Sequence, residues 1–230
     1  MSKRSLIGDI LWGLSLLLIT ALFILPQTRE GFIQLTINYP YMMGFIKFAV
    51  LATMGELLAL RLAKGVWIYP IGMIAKIAVW GLIGVLITFM FLFYSKGVSA
   101  MLDQVKVSPG NSFLSTVYQA FLTSVIMNLT FGIVFMAMHR MSDTYIEMRF
   151  THKRPSLMEL IQSIHWDTFI NFVVFKTIPL FWIPAHTITF SLPSQYRVVV
   201  AAYLSIILGV ILVYSNKKQE DKSNNIQGLG

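Results

Sequence analysis

Residues 42–62 read MMGFIKFAVLATMGELLALRL, a stretch in which only Lys47, Glu56 and Arg61 carry charge. A helix needs roughly twenty predominantly apolar residues to cross the hydrocarbon of a bilayer. This run supplies them, and residues 6–25, 66–94, 113–138, 166–190 and 196–214 do the same. The expectation is an all-α, polytopic integral membrane bundle of about six transmembrane helices. One transmembrane domain would occupy residues 1–216, followed by a polar, disordered cytoplasmic tail over 217–230. The third stretch is overlong, which predicts a tilted helix or an interfacial turn around Trp67, Tyr69 and Pro70.

Composition supports this class. Of the 230 residues, 56% are hydrophobic and 12% charged, and the mean hydropathy is +0.70. A soluble domain carries about twice that charged fraction. The net charge of +8 is spread between apolar runs rather than gathered into a patch, so nucleic acid is not an expected partner. With no cysteine, disulfides, thiolate metal sites and cysteine nucleophiles are excluded. Lys3 and Arg4 precede an apolar run too long for a signal peptide, and no Ala-x-Ala site follows it, so a retained first span is expected.

The distribution of lysine and arginine assigns sides. With the N-terminus inside, the inner side holds Lys3, Arg4, Arg61, Lys64, Arg140, Arg149, Lys153, Arg154, Lys217, Lys218 and Lys222. The outer side holds Arg29, Lys96, Lys106 and Arg197. That excess on one side predicts both termini in the cytoplasm and residence in a cell inner (plasma) membrane. In one inner loop Ser156 and Glu159 have capping-box spacing. Leu157, Leu160, Ile161 and Ile164 then recur at i, i+3, i+4 and i+7, predicting a short interfacial helix over 156–164. Lys153 and Arg154 beside it would meet anionic lipid.

Within the spans, charged and polar residues are the candidates for function, because burial in hydrocarbon is costly. Lys47 and Glu56 are nine residues apart and point to opposite sides of one helix. Glu56 shares a face with Ala49, Ala52, Thr53, Ala59 and Ala63, a small-residue stripe suited to close helix contact. Its candidate partners are Lys76 and Lys176. Lys47 either snorkels or is held inside. Ala120, Ser124, Asn128, Gly132 and His139 form one small and polar face, on which Asn128 is a helix–helix hydrogen bond or a pore group. In 166–190, Pro179 and Pro184 would free the carbonyls of Phe175 and Leu180 and kink or break the helix, with Lys176 and His186 on either side. The pore or polar-core candidates are therefore Glu56, Lys76, Asn128, Lys176 and His186, with any permeation path passing the 179–184 break. The other histidines, His139, His152 and His165, are assigned to the inner side, so no metal site is expected.

Residues 182–197 carry a further signal in Trp182, Phe190, Pro193, Tyr196 and Arg197. This segment resembles the C-terminal signature of the Mpv-seventeen family, that of the twenty-two-kilodalton peroxisomal membrane protein, and Gly55-Glu56 resembles that family's Gly-Asp. His186 stands where the family has Gln and Thr189 where it has Asn, and the chain is similar to a divergent bacterial branch. The resemblance implies a small integral membrane protein without cofactors, some relatives forming weakly selective channels. The function expected is a small-solute or ion channel; the alternative is a non-conducting structural or interaction protein, and a homo-oligomer is open to both. No Gly-x-Ser-x-Gly, His-Glu-x-x-His or Walker motif points to an enzyme.

Overall fold

The computed structural model describes residues 3–105, 112–151 and 154–227. Lys106, His152 and Lys153 lie outside the described residues. Among the described residues eight helices follow one another: α1 (Lys3–Ile24), α2 (Pro26–Asn38), α3 (Pro40–Lys64), α4 (Met73–Gln104), α5 (Phe113–Thr151), α6 (Leu157–Ser163), α7 (Trp166–Ser191) and α8 (Ser194–Gln227). No strand occurs among the described residues. Among the described residues six of the helices are long and apolar enough to cross a membrane, one for each apolar stretch, although the third begins at Met73 rather than at residue 66.

Local chemistry sets the boundaries. Pro26 and Pro40 each open a helix at a first-turn position, where the missing amide is not needed. Residues 26–38 therefore form α2, a helix outside the six expected spans. Gly65 ends α3 at φ 75° and Gly72 precedes α4 at φ 70°, so the turn around Trp67–Pro70 separates two helices. Before α6, the Ser156 hydroxyl accepts from the Glu159 amide at 3.2 Å and the Glu159 carboxylate accepts from the Ser156 amide at 2.7 Å. That backbone donor holds the Glu159 carboxyl below its ordinary range. Leu160 and Ile164 turn inward from α6, while Leu157 and Met158 remain exposed. At the chain's far end α8 runs on to Gln227, so the segment expected as a disordered tail continues the helix.

The two prolines of α7 do not break it. Residues Phe169–Trp182 are wound as a π-helix, with Pro179 inside, and an ordinary α-helix resumes at Ile183–Ser191. In the wider i→i+5 winding the proline ring no longer opposes a bonded i−4 carbonyl. The donor it removes is then owed to Val174 rather than Phe175. Pro184 falls in the first turn of the resumed α-helix, where its lost amide costs little. The expected break is thus a change of winding.

Helix α3 is the central element. On one side it meets α4 where Gly44 faces Gly84, and a side chain on Gly84 would strike the Gly44 carbonyl. On another it meets α8 at Gly55, where an added Cβ would lie 3.0 Å from the Ile206 Cα. Such contacts replace the hydrophobic drive that lipid removes between helices. Phe48, Leu51, Ala52, Ile87, Phe91 and Ala202 fill the space between these three helices. Lys47 does not snorkel. It is buried between α2 and α3, donating to the Thr36 hydroxyl at 3.0 Å with its ammonium 4.6 Å from the Phe32 ring centre.

Gly84→Leu is expected to destabilise the bundle by about 2 kcal/mol, as overfilling a tight contact does. Gly13→Ala, with nothing within 4 Å of its added Cβ, should be neutral or stabilising. Thermal unfolding in detergent checks both, and equal melting points would refute the close α3–α4 contact.

Candidate functional site

The bundle encloses a cavity of about 450 Å³ between α3, α4, α5, α7 and α8. One end is charged and the remainder is aromatic. The charged end is assembled by glycines. Gly72, at the start of α4, leaves room for Ile146 and Phe150 of α5, which brings α5 against the first turn of α4. Lys76, one turn further on, is buried, and its Nζ lies 2.6 Å from Glu56 Oε1 and 3.4 Å from Glu147 Oε1. Trp80, on the next turn, donates from Nε1 to Glu56 Oε2 at 3.4 Å. A lysine in an apolar bundle requires such partners, because an unpaired buried charge is too costly to keep.

Helix α5 contributes His139, Arg140, Asp143 and Glu147 to the same end. His139 Nε2 lies 3.6 Å from Asp143 Oδ2, and its ring centre sits 4.3 Å from that of Trp80. Asp143 has no lysine or arginine within ion-pair distance among the described residues. Arg140 and Glu147 are exposed at the rim, so this end opens toward the surface.

Away from the charges the wall is built from Phe131 and Phe135 of α5 and Phe169, Val173, Ile178 and Trp182 of α7. His186 closes the far end: its ring stacks on Trp182 at 5.1 Å and meets Phe91 edge-on at 5.5 Å. Its Nδ1 lies 3.1 Å from the Asn128 amide nitrogen, which also donates to the Ser124 carbonyl at 2.8 Å. The Ser124 hydroxyl donates to the Ile183 carbonyl at 2.7 Å, so a polar seam joins α5 to α7 behind this wall. Buried polar atoms are nearly always partnered. Three among the described residues are not, and two of these, His139 Nδ1 and Trp182 Nε1, belong to residues of the cavity wall.

The structure therefore brings Glu56, Lys76, Asn128 and His186 to one cavity. It does not bring Lys176, which lies on the exposed face of α7 beside Phe175, Pro179 and Leu180. Glu56 pairs with Lys76, not Lys176, and the cavity lies along the face of α7 opposite the proline-bearing one. Among the signature residues, Trp182 lines the cavity and Phe190 meets Phe91 at 4.8 Å. Arg197 lies over Phe190 at 5.6 Å and donates to the Leu192 carbonyl at 2.8 Å and the Ser95 hydroxyl at 2.9 Å. Pro193 accepts at its carbonyl from the Tyr196 amide at 3.0 Å in the turn into α8. Sequence reasoning missed Trp80, Asp143 and Glu147 as site residues. His139, Asp143 and Glu147 recur every four positions on the face already carrying Asn128 and Gly132, a signal that continues past the apolar stretch.

No group of three or more metal-ligating side chains occurs among the described residues. In comparison with known proteins, the chain matches no family model, no curated protein and no solved structure. Class is therefore set by the architecture alone: six helices capable of crossing a membrane, around an internal cavity with one charged end.

Lys76→Met leaves Glu56 without its cation, and breaking such a buried pair should cost about 3 kcal/mol. Glu147→Gln removes only the longer, exposed contact and should cost under about 1 kcal/mol. The order of the two melting points in detergent tests the hierarchy; a reversal would show that Glu147 is the principal partner.

Proposed function

We propose that this chain is a multi-pass protein of a cell inner membrane, both termini cytoplasmic, that gives small solutes passage through its internal cavity. The observation carrying this reading is the roughly 450 Å³ space inside the bundle, charged at one end and aromatic elsewhere. Lysine and arginine asymmetry would put the charged end on the cytoplasmic side. Helix α6 would then lie at the inner interface, with Arg154 near anionic headgroups. A permanently open ion pore fits less well, because an aqueous path needs a continuous polar lining and Phe91, Phe190 and His186 close the far end. Solute would pass only when that aromatic closure gives way, as in gated permeability. Membership of the Mpv-seventeen family, resting on the residues around Trp182 to Arg197 and on Gly55-Glu56, belongs to the same proposal.

A second reading, a non-conducting structural protein, draws support from the mutual satisfaction of Lys76, Glu56 and Glu147. Gly132 separates the two. It lines the cavity, and an added Cβ there would meet nothing closer than 3.4 Å. Gly132→Phe should fill the cavity while sparing the bundle.

In proteoliposomes, stopped-flow light scattering over a panel of small neutral and charged solutes should show faster equilibration than in empty vesicles. Gly132→Phe should return the rate to that of empty vesicles without lowering the melting point. If wild-type vesicles match empty ones for every solute, and planar bilayers stay silent, the structural reading replaces this one. The orientation has its own check, aided by the cysteine-free background. In intact cells Lys96→Cys should react with a membrane-impermeant maleimide, whereas Lys64→Cys should react only after permeabilisation; the opposite pattern inverts the protein.

A further inference from the structure

Resting on the cavity reading above, we infer that the cavity selects a lipophilic organic cation: a planar aromatic body bearing one positive charge or protonated amine. Three features of the wall combine to this end. First, charge is unbalanced. Glu56, Asp143 and Glu147 face it against Lys76 and Arg140, so carboxylates outnumber lysine and arginine by one along the wall. Second, the surplus has an address. Lys76 is committed to Glu56 and Glu147, while Asp143 has only His139 at 3.6 Å. Third, the surroundings of Asp143 suit a cation. Trp80 and Phe135 flank His139, and aromatic faces attract cations where water is thin. With the Nε2 proton of His139 turned toward Asp143, its buried Nδ1 is an acceptor without a donor.

The remaining wall fits the body of such a molecule. Phe131, Phe169 and Trp182 present ring surface, and the volume is in the range that holds a drug-sized ligand. An anion of the same size would place its charge against a surplus carboxylate. A neutral one would leave Asp143 desolvated and unmatched, and selectivity arises from that difference.

Three aromatic probes of different charge test this on the purified full chain in detergent: ethidium (cation), N-phenyl-1-naphthylamine (neutral) and 1-anilinonaphthalene-8-sulfonate (anion). Binding is measured by equilibrium dialysis, with protein-free micelles as the blank. Ethidium should bind saturably and most tightly, and Gly132→Phe should abolish that binding. Asp143→Asn should weaken ethidium by about tenfold or more, the worth of a charged hydrogen bond, and leave the neutral probe unchanged. Arg140→Gln, a rim substitution that removes a competing cation, should tighten ethidium severalfold and serves if Asp143→Asn does not fold. The inference is overturned if the neutral or anionic probe binds more tightly than ethidium, or if ethidium binding ignores both charge substitutions. Saturable binding of the other probes that Gly132→Phe abolishes would then leave the cavity reading standing. If no probe binds saturably, the inference falls, and the passage reading is decided separately by the light-scattering flux.

Discussion

A charged lysine in an apolar bundle is held most strongly by a carboxylate beside it, and the charged end of the cavity is arranged around that pairing at Lys76. The pair with Glu56 fixes the register between α3 and α4, because a one-position slide of α4 would turn Lys76 away from it. The glycine contact of Gly44 with Gly84 then falls about two turns further along α4. Glu147 adds α5 to the same cation, reached because Gly72 has no side chain to keep α5 away. One ion cluster thus ties three helices at the end where the cavity opens, while small-residue contacts tie them elsewhere.

Much of the fold is legible in the amino-acid order, and the reasons are physical. Hydrocarbon demands about twenty apolar residues per crossing, and each such stretch of this chain has a long helix to match, the third starting only at Met73. The capping box at Ser156 and Glu159 and the turn bounded by Gly65 and Gly72 follow from local backbone chemistry. Helix α2 was missed because its composition is polar enough for a loop. The signal lay in Pro26 and Pro40, each placed where a helix starts. The extent of α5 was missed for a related reason: hydropathy falls after Met138, yet the helix goes on to Thr151, about three and a half further turns. Asp143 and Glu147, assigned to a loop, are thereby carried onto the cavity face.

The candidate site was only half legible. That Glu56 needed a cation followed from burial cost alone, but which lysine would supply it depends on helix rotation. Lys176 is as central in its apolar stretch as Lys76 is in its own. The winding of α7 turns it outward with Phe175 and Leu180. Nothing in the residue pattern of that stretch distinguishes i→i+4 from i→i+5 hydrogen bonding, and the two rotate side chains differently by the end of a few turns.

That winding has a consequence for the cavity. Two segments of the protein are π-wound, Asn128–Gly132 in α5 and Phe169–Trp182 in α7, and both border the same space. A π-turn is wider than an α-turn and less stable, so it persists where something else compensates, and such turns are frequent at functional sites. Here the compensation is visible: Asn128 donates back to the Ser124 carbonyl and lies against His186, and the Thr177 hydroxyl donates to the Phe172 carbonyl at 3.1 Å. The widened turns deliver Phe131, Phe169 and Trp182 to the wall. A tightening of either segment toward α-winding would rotate these rings relative to the fixed α3–α4 pair. The π-wound aromatic end of the cavity thus differs in construction from the ion-paired end at Lys76, the contrast on which the proposed gated passage would depend.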